Sequence, residues 1–253
     1  MAKENGLINR MLEVLYPSGI TCIICDDELP HECKGSICDK CYEKLPKSLE
    51  HVCDKCGESL DSLANFCLNC KKSSKRYFTK ARAPFLYDGE IKNLIHNLKY
   101  NNKQYIGECL SEFLVDEYKK NNFDVDFVVP IPLNPKRLKQ RGYNQALLLC
   151  KKFETELNLN INTTNLIRTV DTPTQTALTK DERKQNLENA FKVVDKKLFR
   201  GKKILVVDDV YTTGATMEEA SKTLLDCGAS EVYCLSVAHT LPPHMRKNED
   251  ELD

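Results

Sequence analysis

Asp208 and Asp209 close an apolar run, Ile204, Leu205, Val206 and Val207, and Thr212, Thr213, Gly214 and Thr216 follow closely. A loop of small residues between a strand and a helix can turn its backbone N–H groups toward one point, which makes a nest for phosphate. Gly214 supplies backbone freedom there, and the threonines supply hydroxyl donors. Two adjacent acids repel a phosphate, but they suit the vicinal diol of a sugar attached to it. Phosphate plus diol points to a ribose 5-phosphate. An ordinary helix cap by Thr212 or Thr213 requires neither the acid pair nor three threonines. The chain offers no G-x-x-x-x-G-K-[ST] and no G-x-G-x-x-G motif to compete for a nucleotide.

A second chemistry sits near the N-terminus. Nine of the 13 cysteines precede residue 71, and eight of these form four Cys-x-x-Cys pairs: Cys22 and Cys25, Cys38 and Cys41, Cys53 and Cys56, Cys67 and Cys70. One such pair could be a redox couple, whereas four in about fifty residues read as metal ligands. Two residues between thiolates let both reach one ion from a tight turn, and two turns complete a tetrahedron, so eight thiolates fit two structural zinc sites. Sequential sites (Cys22, Cys25, Cys38, Cys41, then Cys53, Cys56, Cys67, Cys70) close shorter loops than a cross-braced arrangement and are expected on chain entropy. Cys33 falls outside the pattern as a free thiol. Large apolar residues are scarce here, so metal replaces a core.

The remaining elements must position these groups. Leu7, Ile8, Met11, Leu12 and Leu15 mark a short amphipathic helix that packs on the body of the protein. Beyond about residue 81 helices and strands alternate. Helices are expected over 90–100 and just after, and again over 143–157 and from about Glu218 to Gly228. Strands are expected at 126–132, at Lys203 to Asp209 and at 231–237. Such alternation predicts an α/β fold with a largely parallel sheet covered on both faces, whose ligands bind beyond the carboxyl ends of the strands. The expected division is a zinc-binding module with its N-terminal helix over 1–78, an α/β domain over 79–240, and an acidic, disordered tail over 241–253.

Lysines and arginines balance acids at 37 each. Four thiolates against one divalent ion leave about −2 per zinc site, which makes the whole protein mildly acidic. Basic charge is therefore local, in "KKSSKRYFTKAR" (71–82) and "NPKRLKQRG" (134–142). The first is a solvated face or a nucleic-acid contact, with Tyr77 and Phe78 as the main aromatic candidates. With no secretory signal and no apolar stretch near the roughly 20 residues of a membrane helix, a cytoplasmic location is expected.

"ILVVDDVYTTGAT" resembles the phosphoribosyl-pyrophosphate loop of type I phosphoribosyltransferases. Together with the four cysteine pairs, "LIHNLKY" (94–100), "PIPLNPKRLKQRGYNQA" (130–146) and "TPTQTALTKDERKQNLENAF" (172–191), its order along the chain is similar to that of the ComF family of competence-associated proteins, including its GntX-like relatives. The resemblance runs from about Pro17 to Thr240. It implies a phosphoribosyltransferase fold behind a zinc module, with Asp208 and Asp209 on the ribose hydroxyls. Tyr211, Thr212, Thr213, Gly214, Ala215 and Thr216 would form the 5-phosphate loop. Lys136 and Arg137 would meet pyrophosphate, while Arg141 and Asn144 would open the next helix or be structural. Lys99 and Tyr100 would line another wall, and Gln175, Lys180 and Arg183 would belong to a closing hood.

Three functions follow from that resemblance. One is a glycosyltransferase that uses phosphoribosyl pyrophosphate with Mg2+ and an unidentified acceptor. Another is a non-catalytic DNA-uptake factor that binds single-stranded DNA or a helicase partner. The third is a regulator that senses phosphoribosyl pyrophosphate without turnover. The intact acid pair favours the first and third over a degenerate fold.

Overall fold

The structure, a computed structural model, describes residues 21–29, 33, 36–61, 63–72, 76–169, 189–242 and 245. The expected N-terminal helix, the hood residues Gln175, Lys180 and Arg183, and most of the acidic tail lie outside them. Two compact units are present, Met1–Leu45 and Pro46–Asp253. The division falls between the two cysteine clusters rather than after both, so the second cluster belongs to the same unit as the sheet.

In the smaller unit a knuckle around Cys22 and Cys25 is followed by helix α1 (Asp39–Glu43). The larger unit repeats the pattern, with a knuckle around Cys53 and Cys56 and then α2 (Leu68–Lys72). In each knuckle the amide four residues after the first cysteine bonds back to that cysteine's carbonyl, Asp26 to Cys22 and Gly57 to Cys53, both at 2.9 Å. Asp26 and Gly57 are both left-handed, at φ 62° and 75°. At Gly57 a side chain is excluded as well, since a Cβ would stand 2.8 Å from the Ala81 carbonyl oxygen.

Beyond the second knuckle come β1 (Lys80–Arg82), β2 (Phe85–Leu86), α3 (Gly89–Tyr100), α4 (Tyr105–Lys120) and β3 (Phe127–Pro130). Next are α5 (Pro135–Arg141), α6 (Gln145–Leu148), α7 (Lys151–Leu157), β4 (Asn160–Ile161) and β5 (Leu166–Arg168). The chain continues through β6 (Phe191–Val193), α8 (Lys196–Phe199), β7 (Lys203–Tyr211), α9 (Ala215–Asp226) and β8 (Glu231–His239). The main sheet has the order β1-β8-β7-β3-β4, with β2 also on β8, and all its pairings are parallel. β5 and β6 form a separate antiparallel pair. The fold is the expected α/β type with a mostly parallel sheet.

The apolar periodicities land where expected. Ile91, Leu94, Ile95 and Leu98 of α3 are buried, as are Ile106, Leu110, Phe113 and Leu114 of α4. Asp88 starts α3 by accepting the Gly89 N–H at 2.8 Å.

Three boundaries differ from the sequence expectation. β7 continues past the acids to Tyr211, because β8 extends beside it and the ladder carries on through Asp208–Ser236, Val210–Ala238 and Tyr211–His239. α9 begins at Ala215, directly after left-handed Gly214. The helix expected over 143–157 is broken into α6 and α7. Buried Ser111 from α4 donates to the Leu149 carbonyl at 2.7 Å and accepts the Lys152 N–H at 3.1 Å, which satisfies backbone groups that the break exposes.

Candidate functional site

Chain order places the site. From β3 the chain moves outward to β4 and returns to β7 on the other side of β3. The crevice beyond the carboxyl ends of β3 and β7 is thus a topological switch point, where open parallel sheets bind ligands. A cavity of about 280 Å³ lies there, lined by residues that follow β3 (Ile131, Leu133, Arg137) and by Asp208, Asp209, Thr212 and Thr216 around the end of β7.

The loop after β3 is held by its asparagines. Asn134 is buried and caps α5 by accepting the Lys136 N–H at 2.8 Å, and Pro135 occupies the first turn, where its missing N–H is harmless. Asn144 caps α6 and also donates to the Ile131 carbonyl at 3.0 Å, so it ties the loop to the next helix and is structural. Arg137 reaches the cavity wall, whereas Lys136 is exposed and does not line it.

The two acids are not equivalent. Asp209 is buried, with Lys99 Nζ 2.9 Å from its Oδ1 and Gln145 Nε2 donating to its Oδ2 at 2.9 Å. Gln145 in turn accepts from Arg141, whose guanidinium lies over the Tyr100 ring, 5.4 Å from the centroid. Each Asp209 oxygen therefore already accepts one bond from within the protein. Burial works to lower the Lys99 pKa, but the Asp209 charge beside it outweighs burial and raises it.

Asp208 is half-buried and accepts the Asp209 backbone N–H at 2.8 Å. Burial, and then the neighbouring Asp209 charge, push its pKa up to about 7. Arg168, at the end of β5, also lines the cavity and works against that rise.

The Thr-Gly loop divides by role. Thr212 and Thr216 line the cavity, and Thr213, just ahead of the N-cap Gly214, accepts the Ala215 N–H at 3.4 Å. Gly214 is left-handed at φ 78°, and a Cβ there would stand 2.1 Å from the Tyr211 hydroxyl. Tyr211 is a wedge beneath the loop: it is buried, its ring stacks on His239 at 4.5 Å, and Phe78 meets it edge-on at 6.4 Å. Tyr211, Thr213, Gly214 and Ala215 do not line the cavity.

Sequence reasoning missed Gln145, which holds Asp209, and Arg168, which lines the cavity. The signal for Gln145 was its place four residues after Arg141. The basic stretch 71–82 also changes meaning. Arg76 is half-buried and pairs with Glu218 at 3.3 Å, and Arg82 bonds the Cys53 and Asp54 carbonyls, so neither is free surface charge. Lys71 and Lys72 are exposed, and Lys75 lies outside the described residues.

Cys22, Cys25, Cys38 and Cys41 form one group, and Cys53, Cys56, Cys67 and Cys70 another, with the sulfurs of each within 4.8 Å of one another. Cys25–Cys38 and Cys56–Cys67 are both 3.7 Å apart. Zn–S bonds of about 2.3 Å in a tetrahedron put sulfurs roughly 3.8 Å apart, so both groups fit zinc. Pairing is sequential, as loop closure predicted, and Cys33 belongs to neither group.

With this geometry in place, comparison with known proteins is decisive. Competence protein F of Haemophilus influenzae is 33% identical over 225 residues, covering 86% of this chain and 96% of that relative. The chain belongs to the ComF family. The family model "Double zinc ribbon domain" matches residues 11–71, and "Phosphoribosyl transferase domain" matches 151–253. The DNA utilization protein YhgH of Escherichia coli K12 is 35% identical to this ComF protein over 156 residues, covering 59% of this chain and 68% of YhgH. Competence protein ComFC of Bacillus subtilis is 26% identical over 225 residues, covering 83% and 90%. The two cysteine groups of this ComF protein are thus zinc-ribbon sites joined to a phosphoribosyltransferase-like domain. Among the described residues no helix is long and apolar enough to cross a membrane.

Proposed function

We propose that the cavity binds phosphoribosyl pyrophosphate with Mg2+, and that the protein acts as a phosphoribosyltransferase in the handling of DNA. The observation that carries this reading is the half-buried Asp208 in a switch-point cavity with Arg137, Arg141 and Arg168 in its wall. A cavity for phosphate alone gains nothing from a carboxylate, whereas a phosphorylated sugar needs both signs of charge.

Asp208 accepts hydrogen bonds from the ribose diol. Asp209, clamped by Lys99 and Gln145, holds the strand end in place and supplies the negative field. The 5-phosphate lies against the Thr212–Thr216 turn at the start of α9, where backbone N–H groups and the helix dipole favour an anion. Arg137 meets the pyrophosphate, with Lys136 at the outer edge of the same turn. In the transfer, an acceptor nucleophile forms a bond to the anomeric carbon. The bond from that carbon to the pyrophosphate oxygen breaks, and pyrophosphate leaves with the electron pair. Mg2+, when bound, offsets the charge of the leaving group. The protein contributes position and charge rather than covalent chemistry.

Calorimetric titration with phosphoribosyl pyrophosphate and Mg2+ tests the reading, with Asp208→Asn as the control. Saturable binding that the variant weakens by at least tenfold supports it; no binding by the wild type overturns it. Pyrophosphate release in an acceptor screen then separates turnover from sensing. The names of the relatives, competence and DNA utilization, support a second reading as a factor that holds single-stranded DNA or a helicase partner. Among the described residues, Lys71 and Lys72 are exposed basic side chains of the first cluster and Lys80 is half-exposed, and these suit that task.

A further inference from the structure

The second zinc ribbon and the Thr-Gly loop meet at one side chain, Glu218, in the first turn of α9. Glu218 Oε1 accepts the Tyr77 backbone N–H at 2.8 Å, and its Oε2 lies 3.3 Å from Arg76 Nη1. Arg76 and Tyr77 follow Cys70, a ligand of the second ribbon, by six and seven residues. The segment that leaves the ribbon is therefore tied through Arg76 and Tyr77 to Glu218 and to the helix that opens at Gly214. A packing contact runs parallel to it. Cys53, Cys56, Cys67 and Phe78 share one buried cluster with Tyr211, Met217 and Ala220, which lie beneath the loop and on the buried face of α9. The ribbon is further stitched to the sheet edge, where the Ala81 N–H donates to the Lys55 carbonyl at 2.8 Å.

Charge alone does not explain Glu218. A carboxylate in the first turn of a helix is favourable to the helix, but it opposes an anion bound at the same N-terminus. A site that takes phosphate there tolerates Glu218 only if the side chain does something else, and its two bonds to the segment leaving the ribbon are what it does.

We propose that Glu218 is a positioning residue that couples the second zinc ribbon to the phosphate-binding turn, so that metal occupancy and anion affinity rise and fall together. The proposal rests on the reading of the Thr212–Thr216 turn as the phosphate site. Coupling of this kind is reciprocal: if zinc in the second ribbon tightens the turn around its anion, the anion must tighten binding of that zinc by the same free energy.

The test uses the full chain, with Glu218→Ala and Glu218→Gln, and has two readouts. The first is affinity for phosphoribosyl pyrophosphate with Mg2+. Simple removal of a negative charge tightens anion binding, whereas loss of positioning weakens it, so the sign separates the two roles. The expected result is weakening of about tenfold for Glu218→Ala, within the roughly 5- to 150-fold range of such couplings. Glu218→Gln, which keeps an acceptor for Tyr77, recovers part of it. The second readout is the rate at which a colorimetric chelator removes zinc. In the wild type, saturating ligand slows release of one of the two zinc ions, and in Glu218→Ala that protection disappears. Wild-type binding with an equal or tighter Glu218→Ala variant and ligand-independent zinc release overturns the linkage while leaving the phosphoribosyl reading intact. Failure of the wild type to bind overturns both.

Discussion

Replacing Asp208 with asparagine should stabilise the protein at alkaline pH while damaging the site. The Asp208 carboxyl sits at about 7, raised from 3.8 by burial and by the Asp209 charge. Below about pH 3.8 both folded and unfolded chains keep the proton, and the group costs nothing. Between 3.8 and about 7 the unfolded chain releases it first, so stability falls as pH rises. Above about 7 both forms are ionised and the full cost is present. Three pKa units at about 1.4 kcal/mol each set a ceiling near 4 kcal/mol. Solvent reaches the half-buried carboxylate and screens it, which brings the expected cost to about 2 kcal/mol. Asparagine keeps an oxygen for the Asp209 N–H but carries no charge. For a unit of this size, about 2 kcal/mol corresponds to a rise of roughly 4–8 °C in Tm. Melts of wild type and variant from pH 5 to 8.5 should show a gap that widens with pH and levels off above 7. A gap that does not change with pH, or an Asp208→Asn protein that melts earlier at pH 8.5, refutes the reasoning. The pattern is that of a site which gives up stability to keep a reactive charge.

Purified protein should contain about two zinc ions per chain, and Cys25→Ser should lose one while the unit from Pro46 onward stays folded, as near- and far-UV circular dichroism would register. Gly214→Ala should abolish binding of phosphoribosyl pyrophosphate with little change in far-UV signal, because φ 78° is strained for alanine and the methyl group collides with the Tyr211 hydroxyl; wild-type affinity in a calorimetric titration would contradict it. If single-stranded DNA uses the exposed end of α2, then Lys71→Glu with Lys72→Glu should weaken binding at low salt and flatten its salt dependence. Arg76 is left out of that test because its change would break the contact to Glu218.

The sheet, the helices α3 and α4 and both zinc sites were legible because each follows a local rule. Ile91, Leu94, Ile95 and Leu98 recur at helical spacing, and cysteines two residues apart reach one ion whatever lies around them. What escaped the sequence depends on partners distant in the chain. The end of β7 is set by how far β8 runs beside it, and the break between α6 and α7 by a serine about 40 residues upstream. Gln145 has no chemistry that marks it until α6 brings it against Asp209. Arg76 reads as surface charge until the fold places Glu218 opposite it.

The pair of acids shows most clearly why spacing alone underdetermines a site. In the sequence Asp208 and Asp209 are interchangeable neighbours, each fit to hold a diol. In the fold, Lys99 and Gln145 each bond one oxygen of buried Asp209, which leaves less of its acceptor capacity to a ligand. Asp208 accepts the Asp209 N–H and is open to the cavity. Ligand hydroxyls donated to it offset part of the desolvation that raises its pKa, so binding favours the ionised form. On the proposed reading the diol therefore falls mainly to Asp208. Asp209 then keeps a fixed negative charge beside it, which with burial holds the Asp208 pKa up until the sugar hydroxyls bind.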